Sequence, residues 1–148
     1  MAIVDLNWNP LDPDDPGPCI QVIVMNSPDV IERGRVLGLE YPKPREMRAL
    51  LDTGASVTVI SKVFANHCHL LPTSEGSEIT ALGGVVLCGE HAGAISFPGT
   101  KLKSFDLMRI VSADFVKQRN YAILIGRDIL QNWRITFDGR SRKVTIED

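Results

Sequence analysis

The chain has no cysteine pair at metal-ligand spacing, no strong charge of either sign, and no long uninterrupted apolar run. Its three cysteines, Cys19, Cys68 and Cys88, are odd in number and far apart. That excludes a disulfide framework and a zinc site of paired thiols, and it predicts reduced thiols in a cytoplasmic protein. A net charge of −2 gives no general attraction to nucleic acid or to an anionic membrane, so partners must be read from specific sites. The segment Met1-Ala2-Ile3-Val4-Asp5-Leu6 has neither the basic region nor the continuous apolar region of a secretory leader. No stretch is apolar for long enough to span a bilayer as a helix, so membrane anchoring is not expected.

What is present is an ordinary globular composition. The 148 residues, 44% of them apolar and 23% charged, suit one domain with a core of its own. Residues 7–18 are dominated by Pro, Asp, Asn and Gly, which fix turns and resist regular ladders. The expectation is a flexible N-terminal arm over residues 1–18 and a folded domain over residues 19–148. Ile20 to Met25 is rich in β-branched residues and stops at Asn26-Ser27-Pro28, as a strand should. Residues 29–43 carry Gly34, Gly38 and Pro42, with Pro44 just beyond; these break any period, and the stretch reads as a loop with at most one short strand.

Residues 45–51 read as a strand leading into Asp52-Thr53-Gly54, and Val57 to Ile60 reads as the next. Ser61 is placed to cap a short helix ended before Pro72. The sequence around Leu82-Gly83-Gly84 predicts a hairpin with glycines at its bend. Phe105 to Val111 and Tyr121 to Ile125 are further strands, residues 114–120 a polar connection, and residues 127–133 a short helix. Ile135-Thr136-Phe137 and Val144-Thr145-Ile146 close the chain as a hairpin. Short strands, frequent turns and one or two short helices make a mainly β protein.

The chemistry centres on Asp52. An Asp-Thr-Gly triplet is a weak signal alone, since Asp and Gly are common in turns. Here it lies between two apolar strands, where a carboxylate is costly unless it is hydrogen-bonded. Backbone amides of a tight loop can bind that carboxylate, and a threonine hydroxyl can brace the loop.

Two separated motifs, in this order, resemble the retropepsin family of aspartic peptidases. The first is Ala49-Leu50-Leu51-Asp52-Thr53-Gly54-Ala55-Ser56; the second is Ile123-Leu124-Ile125-Gly126-Arg127-Asp128-Ile129-Leu130. Leu82-Gly83-Gly84 lies between them, where that family carries its flap, so the resemblance covers residues 19–146. It implies a closed β-barrel with a flap hairpin. Asp52 would be the catalytic aspartate, Thr53 the residue locking two active-site loops across a dimer, and Gly54 the glycine permitting the loop. Gly126 would pack beneath that loop with Arg127 as a structural residue, and Ala55 and Ser56 would support it. Leu82, Gly83, Gly84 and Val85 would form flap and wall positions over an extended peptide substrate. Ser56 departs from the viral pattern, which often has an acidic residue there, and the flap glycine cluster is shorter.

Such chemistry needs two carboxylates on one water, yet the chain holds a single triplet. The resemblance therefore implies a homodimeric endopeptidase without metal or organic cofactor. The alternative reading is an inactive peptide-binding or dimerisation module on the same fold. His67-Cys68-His69 invites a metal reading, but no second ligand pair accompanies it, and a helix end is the expectation. His91 is expected at a strand surface. Arg134, Arg140, Arg142 and Lys143 are expected to be a solvated hairpin rather than a nucleic-acid surface.

Overall fold

The computed structural model describes residues 1–81, 83–114 and 120–148. The elements, in chain order, are β1 (Ile3–Asn7), β2 (Cys19–Met25), α1 (Pro28–Val36), β3 (Glu46–Leu51), β4 (Val59–Ser61) and α2 (Lys62–His67). Then follow β5 (Leu71–Ala81), β6 (Gly84–Ser96), β7 (Phe105–Ala113), β8 (Ile123–Ile125), α3 (Arg127–Leu130), β9 (Arg134–Asp138) and β10 (Lys143–Glu147). The mainly β class read from the sequence is the class observed.

The larger sheet runs β2-β3-β8-β4-β7-β6-β5, and β2 also pairs with β6. That extra pairing, Ile23 to Ser96 through Met25 to Ala94, turns the ladder into a closed ring from β2 round to β6. β5 is left outside the ring as the second arm of a hairpin. Side chains alternate across each strand, so every second residue can face the interior. β2 buries Ile20, Val22 and Val24, β3 buries Met47 and Ala49, and β8 buries Ile123 and Ile125. Each fully buried Ile or Val contributes roughly 1.5–3 kcal/mol relative to exposure. Phe97, Phe105 and Trp133 pack edge to face at one end of this core, with centroids 5.1 to 6.2 Å apart. Trp133 thus belongs to the core, whereas Phe137 is 65% exposed and stacks on Trp8.

One local topology positions everything that follows. β8 pairs with β3 in parallel, Ala49 opposite Ile123 and Leu51 opposite Ile125. On its other side it pairs with β4 antiparallel, Val59 opposite Leu124. β3 and β4 are consecutive in the chain, so the loop joining them must cross the end of β8. That loop carries Asp52.

Three expectations are corrected. Order does not begin at Cys19: Ile3–Asn7 is a strand, paired with β10 from Ile3 opposite Glu147 to Asn7 opposite Lys143. Ala2, Val4 and Leu6 alternate inward, with Ala2 and Leu6 buried, and this supplies the apolar face a strand needs. With β9 they form a separate sheet of order β1-β10-β9. Residues 9–17 do consist of turns, several held by Asp and Asn side chains, such as Asn9 N–H to Asp15 at 2.7 Å.

The second correction is α1, which occupies a stretch read as loop. Pro28 stands in its first turn, where its missing N–H costs nothing. Gly34 is a packing choice rather than a breaker: a Cβ there would overlap the Tyr41 ring, whose hydroxyl donates to Val30 O at 3.2 Å. The third correction is His91. It is buried, with Nε2 3.0 Å from Ser112 Oγ, because it points to the same face of β6 as Gly93 and Ile95. Two smaller differences concern helix ends. Ser61 precedes α2 as expected but makes no side-chain cap, and α3 stops at Leu130 rather than reaching residue 133.

Candidate active site

Asp52 is half-buried at the tip of the loop crossing β8. Its backbone N–H donates to Ile125 O at 2.9 Å, which ties the loop's first residue to the end of β8. Its carboxylate Oδ1 accepts from Gly54 N–H at 2.9 Å. Ala55 N–H donates back to Asp52 O at 3.2 Å, closing a tight turn. Thr53, Gly54 and Ser56 are exposed. The carboxylate is therefore oriented by one backbone amide and presented to an open face.

The second motif holds this loop from beneath. Gly126 is buried, and a Cβ on it would lie 2.5 Å from both the carbonyl carbon and oxygen of Val57. Only a residue without Cβ allows that approach. Arg127 N–H donates to Ala55 O at 2.9 Å, and its guanidinium donates to Thr53 O at 2.8 Å. The structure thus brings Asp52, Thr53, Gly54, Ala55, Gly126 and Arg127 into one unit.

Two further residues complete the unit, and the sequence alone assigned neither a role. Asp128 accepts from Thr58 N–H at 2.9 Å, from Thr58 Oγ1–H at 2.8 Å and from Ile129 N–H at 3.0 Å. Gly126 N–H in turn donates to Thr58 Oγ1 at 3.2 Å. Thr58 is fully buried, so this hydroxyl is a bridge between the two motifs. An acid in the first turn of a short helix was the one available signal, since such acids commonly bind nearby amides.

The hairpin read as a flap is formed by β5 and β6, paired from Leu71 opposite Ala92 to Ala81 opposite Gly84. Gly83, Gly84 and Val85 lie at its exposed tip, and Leu82 lies outside the described residues. Gly84 has φ +111°, and no atom lies within 4 Å of where Cβ atoms would stand on Gly83 or Gly84. Val85, Val86 and Leu87 are exposed apolar residues, 64%, 50% and 73% respectively.

Other candidate groups stand apart. Burial pushes the Cys19 thiol up against an opposing pull from Arg48, and pushes up the Cys68 thiol too, so neither is an activated nucleophile. His67 is the last residue of α2, Cys68 follows as its cap residue, and His69 takes φ 51°. Among the described residues no group of His, Cys, Asp and Glu could hold a metal ion. Lys143 in the basic hairpin pairs with Asp5 at 3.2 Å. Among the described residues, cavities of about 230, 280 and 530 Å³ are present, and Asp52 lines none of these three.

A strand-flanked Asp-Thr-Gly loop braced by a Gly-Arg-Asp turn, on a closed barrel with a glycine-tipped hairpin, defines a retropepsin-like fold. Residues 43–132 match the family model described as "gag-polyprotein putative aspartyl protease", and the chain belongs to that family. Among solved structures it is similar to the EIAV protease in complex with the inhibitor HBY-793. The TM-score there is 0.54 at 22% identity, covering 78% of this chain and 86% of that one. It is also similar to a retropepsin-like aspartic protease from Rickettsia conorii, with TM-score 0.58 at 14% identity, covering 97% and 89%. No curated protein matches the chain. At these identities the two structures speak for the fold.

Proposed function

We propose that this protein is a homodimeric aspartic endopeptidase in which Asp52 from each of two copies activates one water. The observation that carries this reading is a single Asp-Thr-Gly loop, braced and open-faced, on a chain with the fold of one lobe. One such loop offers one carboxylate, and the reaction needs two. A two-fold axis beside the loop supplies the second, with Thr53 the residue to lock one loop against the other.

Two carboxylates that close cannot both ionise readily, so the pair holds one proton and titrates as a unit. The ionised Asp52 takes a proton from water as the oxygen attacks the scissile carbonyl. The protonated one donates a hydrogen bond to the carbonyl oxygen as it gains charge. The tetrahedral intermediate then collapses with a proton passing to the amide nitrogen, and the C–N bond breaks. No covalent enzyme intermediate forms, and acid and base exchange roles for the next turnover.

The substrate is an extended peptide lying under the β5–β6 hairpin, where its backbone pairs with strand edges and alternate side chains meet pockets. Gly83 and Gly84 let the tip bend over it, and Val85 supplies apolar wall. The free thiols of Cys19, Cys68 and Cys88 support a reducing, cytoplasmic setting.

Mass-spectrometric profiling of cleavage in a peptide library, wild type beside Asp52→Asn, tests activity and specificity together. Mixing the two proteins tests the dimer. Excess Asp52→Asn should suppress wild-type cleavage by forming mixed dimers with one carboxylate. Full cleavage by Asp52→Asn alone sinks the catalytic assignment; unchanged activity in the mixture sinks the shared site.

A further inference from the structure

The cavity of about 230 Å³ lies where the end of β2, α1, residues 41–45 and the end of α2 meet. It includes no residue of the Asp52 loop or of the hairpin tip. Its more buried lining is mostly apolar, with Val24, Ile31 and Pro42 beside the amide of Asn26, and its exposed rim carries Arg35, Lys43, Arg45 and His67. Among the described residues no carboxylate lines it. Within the same set, none of these four side chains is in a salt bridge or hydrogen bond, and Arg35, Lys43 and Arg45 project from an exposed backbone stretch.

The charge is local. Over residues 28–48 five Arg and Lys stand against four Asp and Glu, yet the cleft is lined by Arg35, Lys43 and Arg45 and by none of those four acids. Beside this rim, at the end of α1, Val36, Leu37 and Leu39 are 79%, 79% and 55% exposed. Three neighbouring large apolar side chains standing in solvent at the edge of a cationic cleft mark a contact surface rather than a solvated turn. The α1 segment also holds its place: Tyr41 packs on Gly34 and bonds to Val30, so the rim is a formed shape.

A small inorganic anion needs convergent, desolvated donors, and these cations are spread around a greasy floor. The complementary occupant alternates carboxylates with apolar side chains. We propose that this cleft is a docking site for an acidic, leucine-bearing segment of another protein, separate from the Asp52 cleft. The carboxylates meet Arg35, Lys43 and Arg45, and the apolar side chains meet the floor and the Val36-Leu37-Leu39 tip. Arg is suited to this because its fork binds a carboxylate bidentately.

Fluorescence anisotropy on Asp52→Asn protein, which cannot cleave the probe under the reading above, tests the site. The probe is a short labelled peptide alternating glutamate and leucine, compared with the same peptide carrying glutamine. Saturable binding at least about tenfold tighter for the glutamate peptide is expected, weakening as salt rises. The double variant Arg35→Glu/Arg45→Glu, on exposed positions, should weaken it by about tenfold or more while its circular dichroism and melting stay unchanged. A statine-type active-site inhibitor, added to wild-type protein holding an uncleavable reduced-bond form of the probe, should leave binding unaffected. The proposal is overturned by equal affinity for both peptides, by full retention in the double variant, or by displacement with the inhibitor. It is also overturned if a single-stranded oligonucleotide competes as well as the unlabelled glutamate peptide, since the site would then read charge alone. Failure of Asp52→Asn to abolish cleavage would count against the catalytic reading alone, and the same binding comparison made with probes whose scissile amides are replaced by uncleavable reduced bonds would still decide the docking site.

Discussion

The loop that carries Asp52 and the hairpin tip that carries Gly84 both depend on glycine, and they use it in opposite ways. At Gly126 the backbone of Val57 lies 2.5 Å from where a Cβ would stand, so glycine there is a means of crowding. At Gly84 the surroundings are empty and φ is +111°, so glycine there is a means of turning. Around the first, Thr58, Asp128, Arg127 and Ala55 supply the nearby donors and acceptors with partners. Around the second, Val85 to Leu87 stand exposed. Under the proposed function, the carboxylate that would have to hold an aim sits in the crowded region, and the hairpin that would have to open and close over a peptide sits in the empty one.

The comparison breaks most severely at Asp52 itself. Asp52→Asn keeps the size and the Gly54 hydrogen bond but removes the ionisable partner, and cleavage should fall by at least about 10³-fold with folding intact. Gly126→Ala comes next. Its methyl group meets backbone rather than a movable side chain, so urea denaturation should show a loss of about 3 kcal/mol or failure to fold. Thr58→Val removes the bridging hydroxyl, leaving Asp128 and Gly126 N–H each short of a partner. About 2 kcal/mol should be lost in the same measurement, and activity should drop with it.

Gly84→Ala should cost less by that measure, about 1–2 kcal/mol, because backbone strain at its positive φ opposes the methyl group and no neighbouring atom does. Its effect belongs in KM and kcat for peptide cleavage. If Gly84→Ala proves as destabilising as Gly126→Ala, the contrast between the two regions is wrong.

The smallest effect is on pH. Hydrogen bonds hold the Asp5 carboxylate below its usual range, through Thr145 first and Lys143 next, and hold Asp138 down through Ser141. The Ala2 amide does the same for Asp148. A carboxylate depressed in the folded state stabilises it fully above the ordinary value of about 4 and loses that contribution as pH falls through the depressed one. All three lie on or beside the β1-β10-β9 sheet. Hydrogen exchange between about pH 5 and pH 2 should therefore show that sheet loosening with a modest gain in opening, ahead of the barrel.

The crowded region was largely legible in the sequence, because close packing leaves a signature. A continuous apolar strand before Asp52, β-branched residues after it, and glycine following Ile123-Leu124-Ile125 are each dictated by burial. Thr58 and Asp128 escaped because a buried hydroxyl and a first-turn acid look like ordinary strand and helix residues until topology brings them together. Gly34 misled for a related reason: a glycine making room for Tyr41 is indistinguishable in one dimension from a glycine that ends a helix. His91 was read as surface because parity on β6 cannot be assigned without the register that places it opposite Ile110. β1 was hidden by the turn-rich residues behind it, although the inward alternation of Ala2, Val4 and Leu6 was there to read.

The pairing of β1 with β10 has a mechanical consequence. The strands are antiparallel, Ile3 faces Glu147, and Ala2 and Asp148 bond to each other through both backbone and side chain. Tension applied between the first and last residues would act across the ladder rather than along it. Its bonds would then break in succession, like a zip, instead of resisting together in shear. Under such a pull this corner should yield at low force, while the barrel, closed by β2 on β6, stays out of the load until the seam has run.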